Sequence, residues 1–376
     1  MKVAVIKLGS RIIFGNKIGT SGGAGEAYNL IMMLANGGAE VDCYTQLMPD
    51  DTEIHNVRRF DLEQNIEKIY DAYDALVVIN GNITFFGGEE NRLGILNYKL
   101  INNFIGPVFY IYCDPSLELK QIWPDISRKK WASNWNQDDI EIKRPINVIS
   151  QSYNLQMVKE IFEKQNIVVG SVVQYPFQKF PLLKFAFSDS SALVEDRDID
   201  LIYGGTYRSG RRENKIVEFY FGYPEDIKVE IFGKIKEDNF TPKKIENLSK
   251  PMFSKSVDYS DMINKMRTAK AHVVIGDSRY PKIEMIAQRV YESMLAGCVT
   301  FIDESLDHKR RVFGETDIGE FSYVRNRDEA VAKIRTLNGV NDWKQMAENQ
   351  LTSVNFDPVS YCNGFVETIL SNGEKR

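Results

Sequence analysis

Two hydrophobic patterns alternate along the chain. Short continuous apolar runs, rich in β-branched and aromatic residues, occur at 2–8, 40–45, 75–80, 107–113 and 146–150, and again at 198–203, 228–232, 271–276 and 299–302. A strand with one wet face alternates apolar and polar residues, so unbroken runs of this length read as strands buried on both faces. Between and after them lie stretches whose apolar residues recur every three to four positions, at 26–35, 95–104, 211–221, 260–268, 286–296 and 358–370. That is the period of helices laid against a sheet. Strand and helix in repetition predict an α/β protein with parallel sheets covered by helices on both faces.

The alternation weakens between 168 and 194 and then restarts, and 376 residues is long for one domain. We therefore expect two Rossmann-like doubly wound domains facing a cleft, where the carboxyl ends of open parallel sheets bind ligands. The expected boundaries are 1–172, joined by the C-terminal helix 356–376, and 173–355.

Composition narrows the class. The hydrophobic share of 43% and charged share of 26% are those of an ordinary globular protein. Cys43, Cys113, Cys298 and Cys362 show no Cys-x-x-Cys spacing, and His55, His272 and His308 are far apart, which argues against a zinc site or a disulfide scaffold. The N-terminal apolar run is too short for a signal peptide and no stretch approaches a membrane span, so the expectation is a cytoplasmic protein without a membrane partner. A net charge of -5 means that any nucleic-acid binding must come from local basic patches.

Three motifs carry candidate chemistry. In the segment from Asp200 to Lys215 a buried strand enters a turn with Gly204, Gly205 and Gly210, then a helix carrying several arginines, with Arg208 and Arg212 the candidate anion contacts. Glycines admit an anion to backbone N–H groups, a helix start is partially positive, and arginines donate forked hydrogen bonds, so the segment suits a diphosphate. The alternative is a solvated basic helix start. In the segment from Gln288 to Asp303, Arg289 and Glu292 share a helix face. Arg289 could reach phosphates while Glu292 accepts from ribose hydroxyls, or the two could form an intrahelical ion pair. In Phe109 to Pro115, Asp114 ends a strand and could be a general base, or a helix cap ahead of Pro115. The glycine-rich loop 15–26, ending at Glu26, could approach a sugar or merely connect, and Asp196-x-Asp198-x-Asp200 reads better as solvated strand-edge charge than as a metal motif.

These residues, taken in order, resemble the T-even phage DNA β-glucosyltransferases. The resemblance is carried by the opening Met-Lys-Val-Ala-Val-Ile, the helix led by Glu26, the segment from Val77 to Gly88, Cys113-Asp114, Trp123-Pro124, Val148-Ile-Ser-Gln151, the arginine motif 202–213, Phe232-Gly233, Ile275-Gly-Asp277 and Arg289-Val-Tyr-Glu292. It implies a GT-B fold with an N-terminal DNA domain and a C-terminal nucleotide-sugar domain, and a UDP-sugar donor. It also implies an acceptor in double-stranded DNA, the hydroxymethyl group of 5-hydroxymethylcytosine, flipped out of the stack. Asp114 is then the general base and Glu26 a contact to the donor sugar. Arg208, Arg212 and Arg289 fall at the diphosphate, Glu292 at the ribose, and Phe232 with Gly233 beside the uracil; Gly205 and Thr206 are further donor-binding candidates.

On that reading the reaction is an inverting displacement by a monomer, assisted at the diphosphate by Mg or Mn if a divalent cation is used. Arg128, Lys129, Lys130 and Trp131, with Phe85 and Phe86, are the candidate DNA contacts; a solvated turn and a core phenylalanine pair are the plainer reading. Three alternatives stay open: another UDP-sugar such as UDP-arabinose, motivated by the glycine-rich loop; transfer to a small molecule or glycan; and a non-catalytic nucleotide-sugar or DNA-binding protein.

Overall fold

The computed structural model describes the chain except for residues 8–21, 46–56, 80–97, 114–140, 165, 184–196, 208–211, 258, 277, 338–339 and 374–376. It divides into two compact units, Met1–Phe177 with Asp357–Arg376, and Gln178–Phe356.

The first unit is built on seven strands: β1 (Lys2–Lys7), β2 (Glu40–Thr45), β3 (Val57–Asp61), β4 (Ala75–Ile79), β5 (Val108–Tyr112), β6 (Ile146–Ser150) and β7 (Val169–Gln174). Their order is β3-β2-β1-β4-β5-β6-β7 and every pairing is parallel. Every residue of β4 and β5 is buried, as unbroken apolar runs require of strands covered on both faces. The C-terminal helix Pro358–Gly373 packs on the helix Gly22–Asn36. It also buries Tyr361 and Phe365 against Tyr175, with ring centroids 5.4 and 5.0 Å away. The Tyr361 hydroxyl donates to the Pro176 carbonyl at 2.8 Å, which fastens the end of the chain to this unit.

The second unit has six strands: β8 (Ile199–Thr206), β9 (Val229–Lys234), β10 (Met252–Ser254), β11 (Ala269–Val274), β12 (Val299–Asp303) and β13 (Tyr323–Val324). The order is β10-β9-β8-β11-β12-β13, again all parallel. One sheet face is filled by Ile216, Phe219 and Tyr220 of the helix Glu213–Tyr220. The other takes Val290, Tyr291 and Met294 of the helix Arg289–Leu295.

Each sheet therefore winds outward in both directions from its first strand, the α/β class expected from the pattern. The order reverses between β1 and β4 in one unit and between β8 and β11 in the other. Helices leave on opposite faces at such a point, which opens a crevice at the carboxyl ends of the strands. Four strands were not read from the pattern, and one of them, β7, lies in the stretch expected to be irregular.

Candidate functional site

In the second unit the crevice falls where the arginine motif begins. Strands β8 and β11 pair at Ile199–Ala269 and Leu201–Ala271. At Val273 the Tyr220 hydroxyl takes over both ladder roles, donating to the Val273 carbonyl and accepting from the Val273 amide at 3.1 Å. A side chain from the helix after the glycine turn thus wedges into the switch point and satisfies backbone groups that would otherwise be buried without partners.

Beyond the wedge β8 runs side by side with β9, Gly204 opposite Phe232 and Gly205 opposite Gly233. The glycines here have a packing reason as well as the ligand reason read from the sequence. A Cβ on Gly204 would lie 2.3 Å from the Phe232 ring. One on Gly233, whose φ is +118°, would lie 2.0 Å from the Gly205 carbonyl oxygen. Phe232 itself is buried in a cluster with Ile202, Met262 and Leu295, so its ring belongs to the core and its backbone, with Gly233, forms the strand end.

Arg212 is the half-buried N-cap of the helix Glu213–Tyr220 and makes no side-chain cap. The first helical residue is an acid. Glu213 is buried and pairs with Lys244 at 3.1 Å, and that ammonium holds its carboxyl below the usual range. Lys215 reaches the buried Asp303 at the end of β12, 3.0 Å away, and Asp303 also accepts from the Ser305 amide and hydroxyl. Glu213 suits the helix dipole and Lys215 is matched by carboxylates, so the described part of this helix start is anchored. Thr206 ends β8, though its side chain, like all of Arg208, lies outside the described residues.

Arg289 begins the helix Arg289–Leu295, and its Nε meets Glu292 Oε2 at 3.1 Å. Gln288 donates to the other Glu292 oxygen at 3.1 Å, and a second Arg289 nitrogen approaches the Met262 sulfur. The intrahelical ion pair considered from the spacing is therefore present, with the Glu292 carboxylate almost wholly buried. The Asp196-x-Asp198-x-Asp200 run behaves as strand-edge charge at its last member, since Asp200 pairs with Lys270 at 2.7 Å and caps the Lys228 amide.

In the first unit, β5 delivers the chain to Cys113, and Asp114 follows outside the described residues. Gln151, just past the end of β6, donates to the Cys113 carbonyl at 2.7 Å and fixes the point from which Asp114 departs. This positioning contact was not singled out from sequence. Glu26 lies within the helix Gly22–Asn36, but its side chain is outside the described residues, as are Phe85, Phe86, Arg128, Lys129, Lys130 and Trp131. Among the described residues no three carboxylate, thiol or imidazole groups gather as a metal cage, and no helix is long and apolar enough to cross a membrane.

Residues 1–185 match the family model described as bacteriophage T4 β-glucosyltransferase. The DNA β-glucosyltransferase of enterobacteria phage T4 is 29% identical over 339 residues, which cover 90% of this chain and 89% of that protein. The structure of the phage T4 enzyme in complex with UDP and Mn2+ superposes with a TM-score of 0.77 at 27% identity, over 98% of this chain and 99% of that one. Its complex with UDP-glucose gives 0.76 at 23% identity over the whole of both chains, a likeness of fold. Along nine-tenths of its sequence and over nearly all of its fold, the chain is similar to the bacteriophage T4 β-glucosyltransferase.

Proposed function

We propose that this protein transfers glucose from UDP-glucose to DNA, and that its acceptor is the hydroxymethyl group of 5-hydroxymethylcytosine in the duplex. The reading is carried by the relative matched over 90% of the chain, a DNA β-glucosyltransferase. The switch point supports it: Arg212 and Arg289 stand at the starts of the helices Glu213–Tyr220 and Arg289–Leu295, which come after the adjacent strands β8 and β11. UDP enters the carboxyl end of that sheet. Arg208, Arg212 and Arg289 meet the diphosphate near Gly205 and Thr206, Glu292 exchanges its ion pair for the ribose hydroxyls, and the Phe232–Gly233 backbone borders the uracil.

Asp114 removes the proton of the acceptor hydroxyl as its oxygen attacks the anomeric carbon. The bond from that carbon to the diphosphate oxygen breaks, UDP leaves with its charge on the arginines, and the anomeric centre inverts. Glu26 holds the glucose. A divalent cation, as found with UDP in the T4 enzyme, would add positive charge beside the departing diphosphate. Arg128, Lys129, Lys130 and Trp131 grip the DNA, and Phe85 and Phe86 help keep the base out of the stack. The protein acts as a monomer in the cytoplasm of the infected cell.

The test offers a panel of UDP-sugars with cytosine DNA and with hydroxymethylcytosine DNA, following UDP release. Release with UDP-glucose only when hydroxymethylcytosine is present is the expected result. Release with a UDP-pentose instead would change the donor, and release independent of DNA would refute the acceptor.

A further inference from the structure

His272 is fully buried in the middle of β11, and neither ring nitrogen has a hydrogen-bond partner. Side chains alternate along a strand. Ala271 and Val273 face the core that holds Phe219 and Phe301, whereas Val274 packs with Val290 and Met294, so His272 faces the helix that Arg289 begins. Its cross-strand neighbour Thr300 is already bonded to Ser293 at 2.9 Å, and Tyr203 meets it ring to ring, centroids 6.3 Å apart, without a hydrogen bond to either nitrogen. Among the described residues, Arg289 is near enough to act on the imidazole, which burial and that guanidinium hold in the neutral form. Two buried polar atoms without partners cost free energy that an apolar residue would not. A destabilising group of this kind next to a ligand site invites a functional reason.

We propose that His272 is a positioning residue for Arg289 in donor binding, an inference that rests on the UDP-sugar reading above. In the free protein Arg289 leans on Glu292. When Glu292 turns to the ribose and Arg289 to the diphosphate, the guanidinium gives up its anion. The neutral imidazole then accepts one of its N–H groups through the unprotonated nitrogen. A carboxylate in that place would neutralise the cation; an uncharged acceptor orients the guanidinium and leaves its charge for the phosphates.

The experiment compares His272→Leu and His272→Gln, each in the wild-type and the Arg289→Ala background. UDP affinity, the steady-state constants for UDP-glucose and thermal unfolding are measured for each. We expect His272→Leu to unfold at the same or a higher temperature and yet to bind UDP about tenfold more weakly. KM should rise with kcat little changed, the loss should vanish in the Arg289→Ala background, and Gln, which keeps an acceptor, should restore most of the affinity. Unchanged UDP binding in His272→Leu would overturn the proposal, and so would an equal loss in both backgrounds or a Gln variant as weak as Leu. If the wild type itself fails to bind UDP, the donor reading falls first.

Discussion

On the proposed reading Asp114 and the arginines divide the chemistry between acceptor and donor, and each has its own signature. Asp114→Asn removes the base without touching the nucleotide, so turnover should fall by about 10²–10⁴ while UDP affinity stays within a few fold. Near-normal turnover in that variant would reduce Asp114 to a cap ahead of Pro115. Arg212→Ala or Arg289→Ala should cost about 1.5–3 kcal/mol in UDP binding, the range for a charge-assisted hydrogen bond, and almost nothing for uridine, which has no phosphate. Calorimetric titration with both ligands checks this, and equal losses would remove the arginines from the diphosphate. The residues of the proposed donor side stood out in the sequence because arginines beside glycines have few structural uses, and the structure adds a packing reason for Gly204 and Gly233. The supports did not stand out: Gln151, Tyr220 and Lys244 act through partners distant in sequence, such as the Cys113 carbonyl for Gln151 and Val273 for Tyr220.

At the scale of elements, β8 and β9 are so close at their carboxyl ends that the glycine pair is obligatory. Gly233→Ala would combine a left-handed φ of +118° with a Cβ 2.0 Å from the Gly205 carbonyl. It should destabilise the second unit by about 1–3 kcal/mol and loosen the turn before Arg212, which denaturant unfolding and UDP titration would register. Strand β11 carries a pH dependence. The folded-state pKa of His272 lies well below the ordinary 6.5, so the unfolded chain takes up the proton first. Its contribution to stability is therefore complete above about pH 6.5 and is lost as pH falls below it. The drop in unfolding temperature from neutral to mildly acidic pH should be smaller in His272→Leu; an identical drop would mean that other groups carry it. Strands buried on both faces announced themselves as apolar runs. β3, with its central Arg58 and Arg59, and β7, a half-exposed edge containing Gly170 and Ser171, had no such run, and β10 and β13 are too short to show a period.

At the scale of the whole molecule, two sheets with the same winding are the expected frame, but the strand order that creates each switch point comes from pairings between strands remote in sequence. Local hydrophobic pattern does not encode them. On the proposed function an acidic chain must also hold a polyanion. If Arg128, Lys129 and Lys130 supply the grip, replacing all three by alanine should weaken DNA binding and flatten its salt dependence. Each lost phosphate contact lowers the log–log slope by about 0.9, with UDP affinity unchanged. An unaltered slope would move the DNA track elsewhere. The most direct test of the account is to treat hydroxymethylcytosine DNA with the protein and UDP-glucose, digest it, and determine the mass and anomeric proton coupling of the modified nucleoside. The account predicts a hydroxymethylcytosine nucleoside heavier by one glucose residue in β linkage; an unmodified nucleoside, or an α-linked sugar, would contradict it.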